Sequence, residues 1–203
     1  MSSIEKLIQI SSNHFLESDI NLSTKNEDLN KLLKLKNGFF TFESSLRVFP
    51  TDDCEKSYGL ETWNSQDFWK KYYGNLADGC YFFAEDIFGN QFCYFENKIY
   101  QFDAETGDKK YLAKNIEDWS NKILSEFNFL TGYSLAHDWQ LKNGTIPYKM
   151  RLIPTKLFIL GGEYSIDNLR LVDSLEGLKI RGPIAQSILN LENKTKVKIN
   201  LVD

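Results

Sequence analysis

Three short aromatic segments in the middle of the chain constrain the fold more than any other feature. The strand-like segments are 79–85, 91–95 and 99–102, and the turn sequences are Gly89-Asn90, Asn97-Lys98 and 105–108. Connections of so few residues can join strands only in antiparallel orientation. Dipeptides that contain Gly or Asn favour tight hairpin turns. The sequence therefore predicts an antiparallel β-meander at the centre of the chain.

Helical patterns flank this meander on both sides. Ser2-x-x-Glu5 forms a capping box, and Asn26 and Asn115 are cap residues before apolar periodic segments. The predicted helices are 2–17, 26–38, 64–73, 115–132 and one from Asp173 that Gly182-Pro183 should kink or split near its middle. The further predicted strands are 165–172 and 196–202. This order predicts one α+β domain over residues 1–203, with a twisted, mostly antiparallel sheet flanked by helices.

Size and hydropathy fit one globular domain. The chain has 203 residues, of which 42% are hydrophobic, and a chain of this length buries about 70% of its unfolded surface. The longest aliphatic or aromatic run is 157–160, which is far shorter than the roughly 20 residues of a membrane-spanning helix. We therefore expect no membrane span.

The cysteines indicate a reducing compartment. Cys54, Cys80 and Cys93 are odd in number, widely spaced, and form no C-x-x-C pair. Glu5 and Lys6 interrupt the N-terminal apolar residues, so no signal-peptide core is evident. These features predict a cytoplasmic protein in which Cys80 and Cys93 are core residues of strands.

Charge is distributed unevenly along the chain. Residues 43–108 contain 13 acidic and 5 basic residues, whereas residues 141–203 contain 10 basic and 6 acidic residues. An acidic centre disfavours nucleic acid as a partner, because phosphate binding needs Lys and Arg. It suits a basic protein partner, whose association an acidic field accelerates. The alternative is a solvated surface of uneven composition without a partner.

No catalytic or metal-binding motif is evident. The two histidines are isolated, although His137 precedes Asp138, which can orient a general base. The segment 103–108 resembles a calcium loop, but Lys114 stands where the loop needs Glu, so a hairpin turn is predicted. We therefore expect a protein that is not an enzyme and has no metal or other cofactor. The alternative is an enzyme with a catalytic pair of carboxylates that no sequence motif identifies.

Several segments together resemble the SUKH superfamily, the group that includes the Smi/Knr-type domains. The similar segments are 37–50, 69–74, 83–92, 100–107 with Trp119, 161–164 and 168–169. The resemblance covers about residues 28–202, and the predicted N-terminal helix 2–17 precedes that range.

This resemblance implies an α+β fold and, for most bacterial members, the role of an immunity protein. Such a protein binds and neutralises a cognate toxin, often a nuclease, and the family pattern carries no catalytic residues. The alternative is a regulatory or scaffold protein with the same fold and no toxin partner. The resemblance leaves the oligomeric state open.

The acidic loop and the central hairpin supply the candidate surface for a basic toxin. The candidate toxin-binding residues are Asp52, Asp53, Glu55, Trp63, Glu85 and Asp86. The carboxylates would pair with Lys or Arg of the toxin, and Trp63 would anchor the interface. The alternatives are that Glu85 or Asp86 supports the turn and that Trp63 belongs to the core.

Overall fold

A six-stranded antiparallel sheet forms the centre of the protein, and the computed structural model describes residues 1–17, 24 and 26–189. The helices are α1 (Ser3–Gln9), α2 (Glu27–Leu35), α3 (Leu60–Asn64), α4 (Ile116–Ser125), α5 (Phe127–Thr131), α6 (Tyr133–Asn143) and α7 (Ser174–Leu189). The strands are β1 (Phe39–Thr41), β2 (Leu46–Val48), β3 (Tyr81–Asp86), β4 (Gln91–Phe95), β5 (Lys98–Phe102), β6 (Lys109–Ala113), β7 (Met150–Pro154) and β8 (Leu169–Asp173). None of the described helices is long and apolar enough to cross a membrane.

The strands β1 to β6 pair with their neighbours in sequence order, so the predicted meander is confirmed. Tyr81 lies opposite Tyr94 in β4, and Tyr94 lies opposite Ile99 in β5. Glu96 and Asn97 form the turn between β4 and β5, one residue before the predicted turn, and both have positive φ. A two-residue turn of this kind matches the twist of paired antiparallel strands.

Aromatic side chains fill the main core between the sheet and the helices. The Trp69 and Trp119 side chains are fully buried, and their ring centroids lie 4.8 Å from Phe82 and 5.1 Å from Phe83, respectively. Tilted and edge-on rings at these distances contribute attraction beyond the burial of apolar area. The cysteines Cys80 and Cys93 are also buried, as predicted, but only Cys93 lies in a strand, and Cys80 directly precedes β3.

A second apolar cluster lies between the end of β3, helix α6 and the two-stranded sheet of β7 and β8. The buried residues of this cluster are Ile87, Phe88, Ala136, Ile146, Leu152 and Leu169. The backbone N–H of Leu152 donates to the carbonyl oxygen of Ile87 at 2.9 Å. This bond joins the small sheet to the segment that follows β3, and the whole is one α+β domain, as predicted.

The first predicted helix is shorter than expected. Helix α1 begins with the capping box of Ser2 and Glu5 but ends at Gln9 rather than at residue 17. The backbone N–H of Phe15 donates to the carbonyl oxygen of Gly38 at 2.9 Å, and Leu16 pairs with Asn37. Residues 15–16 are therefore extended, because their backbone bonds go to a distant segment.

The predicted helix 64–73 is wrong. Asn64 ends α3 instead of capping a new helix, and its side chain accepts from the N–H of Phe82 and donates to the carbonyl oxygen of Phe82. A single 3₁₀ turn, Lys70–Tyr72, replaces the rest of that helix. Bonding of Asn64 to β3 removes the cap that the sequence pattern indicated.

Two other secondary-structure elements have bounds that differ from the predicted ones. The predicted helix 115–132 begins after its cap Asn115 and ends before Gly132, as expected, but it breaks at Glu126. Beyond this break the Phe127 ring stacks on Phe42, with 5.0 Å between the centroids. The predicted strand 165–172 is observed from Leu169, and the predicted strand 196–202 lies outside the described residues.

Helix α7 is continuous through Gly182-Pro183, so of the predicted kink or split the split does not occur. A Cβ atom on Gly182 would lie 2.6 Å from the carbonyl oxygen of Tyr72, so the helix packs directly on the 3₁₀ turn. The side-chain amide of Gln186 donates to the same oxygen at 2.6 Å. Pro183 removes one helical hydrogen bond, and this close packing of α7 offsets the loss.

We expect Gly182→Ala to lower the free energy of unfolding by about 1–3 kcal/mol, because the added methyl group overlaps the backbone of Tyr72. Urea denaturation of the purified protein measures this change. Ser187→Ala, at an exposed position of the same helix, is the control and should cost clearly less. Equal stabilities of the two variants would show that α7 does not depend on this contact.

Candidate functional site

Three of the predicted toxin-binding residues lie in the interior. Trp63 and Glu85 have no exposed surface, and Asp86 is 2% exposed. A partner that binds the folded protein cannot reach Trp63 or Glu85, whereas Asp86 lines a groove on the surface. The burial of Trp63 and Glu85 therefore argues against the predicted toxin contacts of these two residues.

Glu85 lies between two buried arginines. Arg47 on β2 is directly opposite Glu85 on β3, and its Nη2 donates to Oε1 of Glu85. Nε of Arg151 on β7 lies 2.6 Å from the same oxygen. Arg47 Nη2 also donates to the hydroxyl oxygen of Ser174, the first residue of α7, at 2.7 Å. We call Arg47, Glu85 and Arg151 the ion cluster, and it joins the main sheet, the small sheet and α7.

Gln91 connects this ion cluster to Trp63. The side-chain amide of Gln91 donates to Glu85 Oε2 at 3.0 Å, and its oxygen accepts from Trp63 Nε1 at 2.9 Å. The structure thus brings Trp63 and Glu85 together, but as parts of the core.

Proximity to two guanidinium groups keeps Glu85 ionised. Burial acts to raise the pKa of Glu85, but Arg151 and Arg47 outweigh it, and the pKa of Glu85 lies below its usual value. Burial lowers the pKa of Arg151 to about 10, although Glu85 opposes that shift. Buried charges of this kind persist when they are paired and hydrogen-bonded.

Asp86 supports the turn after β3, which was the alternative to a binding role. Its carboxylate accepts from the backbone N–H groups of Phe88 and Asn90, each at 2.9 Å, and from the side-chain amide of Asn90 at 2.8 Å. Burial nevertheless raises the pKa of Asp86 to about 7. Its charge therefore depends on pH near neutrality.

Asp52, Asp53 and Glu55 are exposed in the loop that follows β2, which we call the acidic loop (residues 51–58). Asp53 fixes this loop, because its carboxylate accepts from the N–H of Gly59 at 2.7 Å and from the hydroxyl of Thr62 at 2.8 Å. The carboxylates of Asp52 and Glu55 are thus presented by a loop with defined backbone bonds.

A groove of about 990 Å³ lies on another part of the surface, beside the turn that Asp86 supports. Its charged lining residues are Asp86, Asp103, Asp108, Lys110 and Glu126, and its aromatic ones are Phe88, Phe127, Phe129 and Tyr164. We call it the acidic groove. The acidic loop leaves β2 after Val48, whereas Asp86 lies opposite Leu46 at the other end of that strand.

A smaller cavity of about 240 Å³ adjoins the acidic groove and shares Phe88, Asn90, Asp103 and Tyr164 with it. Arg181 lines this cavity and is 1% exposed. Its Nε donates to the carbonyl oxygen of Gly177 at 2.9 Å and its Nη1 to that of Phe88 at 2.7 Å. Within the described residues, Nη2 of Arg181 has no hydrogen-bond acceptor.

Among the residues that the structure describes, the other titratable side chains form no recognisable catalytic group. Nδ1 of His137 lies 2.8 Å from a carboxylate oxygen of Glu43 on the exposed surface, and this hydrogen bond raises the pKa of His137. In the described part of the chain, no three His, Cys, Asp or Glu side chains are grouped to hold a metal ion.

Sequence reasoning missed the three buried arginines and the acidic groove. Arg47 and Arg151 each interrupt a short apolar strand, and a cation in such a position indicates a buried ion pair. The lining residues of the groove come from four separate parts of the chain, so no local pattern indicates it.

Comparison with known proteins bears on the fold only. The crystal structure of Atu4351 from Agrobacterium tumefaciens is similar to this chain with a TM-score of 0.50 and 14% sequence identity, over 78% of this chain and 75% of that one. A likeness at this identity shows a shared arrangement of elements. No protein-family model matches the sequence, and no curated protein matches it significantly.

Glu85→Gln should lower the free energy of unfolding by about 3–5 kcal/mol, because it leaves two buried guanidinium groups without their counter-ion. Urea denaturation tests this expectation. Glu61→Gln, the same change at an exposed position, should alter stability by less than about 0.5 kcal/mol. A loss no larger than that of the control would contradict a supporting role for the ion cluster.

Asp86 should make stability depend on pH. Because its pKa rises from 3.8 to about 7 on folding, the folded protein binds a proton that the unfolded chain releases, and stability falls as the pH rises from about 4 to about 7. Asp86→Asn should flatten that part of the curve of melting temperature against pH, whereas Asp67→Asn at an exposed position should not. Parallel curves for all three proteins would contradict this assignment.

Proposed function

We propose that the protein is a cytoplasmic immunity protein that binds a basic toxin protein and inhibits it by stoichiometric association. The observation that carries the proposal is the acidic loop, which exposes Asp52 and Glu55 on a backbone that Asp53 ties to α3. The similarity of several segments to the SUKH superfamily supports the same role.

The fixed backbone of the acidic loop favours tight binding. A loop that already has its bound conformation loses little entropy on association. Thr51 adds to this order, because its N–H donates to the side-chain oxygen of Asn37 at 3.0 Å. Carboxylates held in this way can pair with Lys or Arg without a prior rearrangement.

The charge of the loop fits a nuclease toxin in particular. A nuclease needs a basic surface to hold phosphates, and a complementary acidic surface can cover it. Such complementarity also speeds the encounter of the two proteins. The substrate of the toxin is then excluded by competition for the same basic side chains.

The test is protection of cells in which a toxin gene adjacent to this gene is expressed. We expect the wild-type protein to restore growth and Asp52→Lys with Glu55→Lys to reduce binding to that toxin by about tenfold or more. The matched control is Glu61→Lys with Asp67→Lys, which changes the net charge by the same amount at other exposed positions. Calorimetry at two salt concentrations measures the affinities.

Failure of the wild-type protein to protect against any adjacent toxin would overturn the immunity role. Stable capture of several proteins of one signalling pathway instead would favour a regulatory scaffold. Equal affinities of the loop variant and the control variant would remove the acidic loop from the binding surface, even if protection persists.

A further inference from the structure

We propose that Cys80 and Cys93 form a reversible disulfide when the protein reacts with hydrogen peroxide, so that the start of β3 becomes covalently joined to β4. This redox switch is separate from the proposed function and does not depend on it. Two features carry the inference, namely the position of the two thiols on the sheet and the lysine side chains beside Cys80.

The register of the main sheet places both cysteines on one face of neighbouring strands. Cys93 on β4 lies opposite Phe82 on β3, and Cys80 precedes Phe82 by two residues, so the two cysteine side chains point to the same face. Both side chains belong to the main core, and their thiols hydrogen-bond to each other. Diagonal neighbours of this kind have Cα atoms about 7–8 Å apart, whereas a disulfide usually spans less than about 6.8 Å. Formation of the bond therefore requires a small displacement of one cysteine.

Cys80 is the cysteine that can make this displacement. It lies just outside the paired residues of β3, and its backbone N–H donates to the carbonyl oxygen of Ala77 at 3.3 Å, within the turn that leads into the strand. Cys93, by contrast, lies opposite Phe82 on one side and Tyr100 on the other, so two neighbouring strands hold it. The disulfide would thus draw the beginning of β3 toward β4.

Two lysines favour Cys80 as the thiol that reacts first. Lys70 Nζ donates to the carbonyl oxygen of Cys80 at 2.8 Å, and Lys109 Nζ donates to that of Leu76 at 2.8 Å, in the segment that leads to Cys80. The hydrogen bond from Cys93 and the charges of Lys109 and Lys70 lower the pKa of Cys80, although burial opposes this shift. The thiolate is the nucleophilic form of cysteine, and nearby cations favour it. Cys80 is also 4% exposed, whereas Cys93 has no exposed surface.

The reaction balances with hydrogen peroxide as the oxidant. The Cys80 thiolate attacks one peroxide oxygen and the O–O bond breaks, which leaves a sulfenic acid on Cys80, while the departing hydroxide takes up the proton that the thiol had released. The sulfur of Cys93 then attacks the sulfenic sulfur, and its proton leaves with the hydroxide as a second water molecule. The two sulfur atoms together lose two electrons, and the two peroxide oxygens gain them. A dithiol reductant reverses the reaction by thiol–disulfide exchange.

The test is oxidation of the purified, folded protein with hydrogen peroxide. Intact-mass spectrometry distinguishes a disulfide, which removes two hydrogen atoms, from a sulfinic acid, which adds two oxygen atoms, and non-reducing peptide mapping locates the bond. Cys80→Ser and Cys93→Ser each remove one partner, and Cys54→Ser is the control cysteine substitution. Lys109→Gln removes a charge beside Cys80, and Lys110→Gln, at the next position of β6, is its matched control. Circular dichroism confirms that the variants fold.

We expect the wild-type protein and Cys54→Ser to form the disulfide between Cys80 and Cys93, and dithiothreitol to reverse it. Lys109→Gln, but not Lys110→Gln, should slow its formation by about threefold or more, because less of the Cys80 thiol is ionised. The oxidised protein should unfold at a higher urea concentration than the reduced protein, since the cross-link restricts the unfolded chain.

Three results would each overturn the inference. The first is a folded wild-type protein that forms no disulfide, or that forms one only in proportion to the unfolded fraction as urea is added. The second is a disulfide that includes Cys54, and the third is a sulfinic acid on Cys80 in place of a disulfide. Equal rates for Lys109→Gln and Lys110→Gln would contradict the role of Lys109. Peptide mapping of the wild-type protein identifies the bond even if a cysteine variant does not fold.

Discussion

The ion cluster of Arg47, Glu85 and Arg151 is the interaction on which the rest of the structure depends. It connects two neighbouring strands of the main sheet with β7, and through Ser174 with the start of α7. Two cations and one anion in the interior are costly to desolvate, so the cluster is stable only while both arginines stay paired with Glu85. This requirement disfavours any other placement of the small sheet against the main one.

The same segment of β3 also determines one wall of the acidic groove. Glu85 belongs to the ion cluster. The next residue, Asp86, stabilises the turn that contains Phe88 and Asn90. Phe88 and Asn90 line both the groove and the smaller cavity. A change in the ion cluster would therefore disturb this wall of the acidic groove.

Patterns of neighbouring residues predicted most helices and strands. Contacts between residues that are distant in the sequence determine the others. The capping box at Ser2 and the caps at Asn26 and Asn115 need only neighbouring residues, and all three are confirmed. Asn64 carries the same cap signal, but its side chain bonds to Phe82 on β3. Likewise, nothing near Glu85 in the sequence shows that Arg151 packs against it, so the sequence alone does not distinguish this interior carboxylate from a surface one.

The acidic residues of the central region thus divide into two populations with different physical roles. Glu85, Asp86 and Glu105 are buried, and arginine side chains or backbone N–H groups satisfy them, so they contribute little to attraction at a distance. Asp52 and Glu55 are exposed, and so are the carboxylates at the margin of the groove. Exposed charges interact through solvent over about 10 Å at moderate salt. Long-range attraction of a basic group therefore depends on this second population and weakens as ionic strength rises.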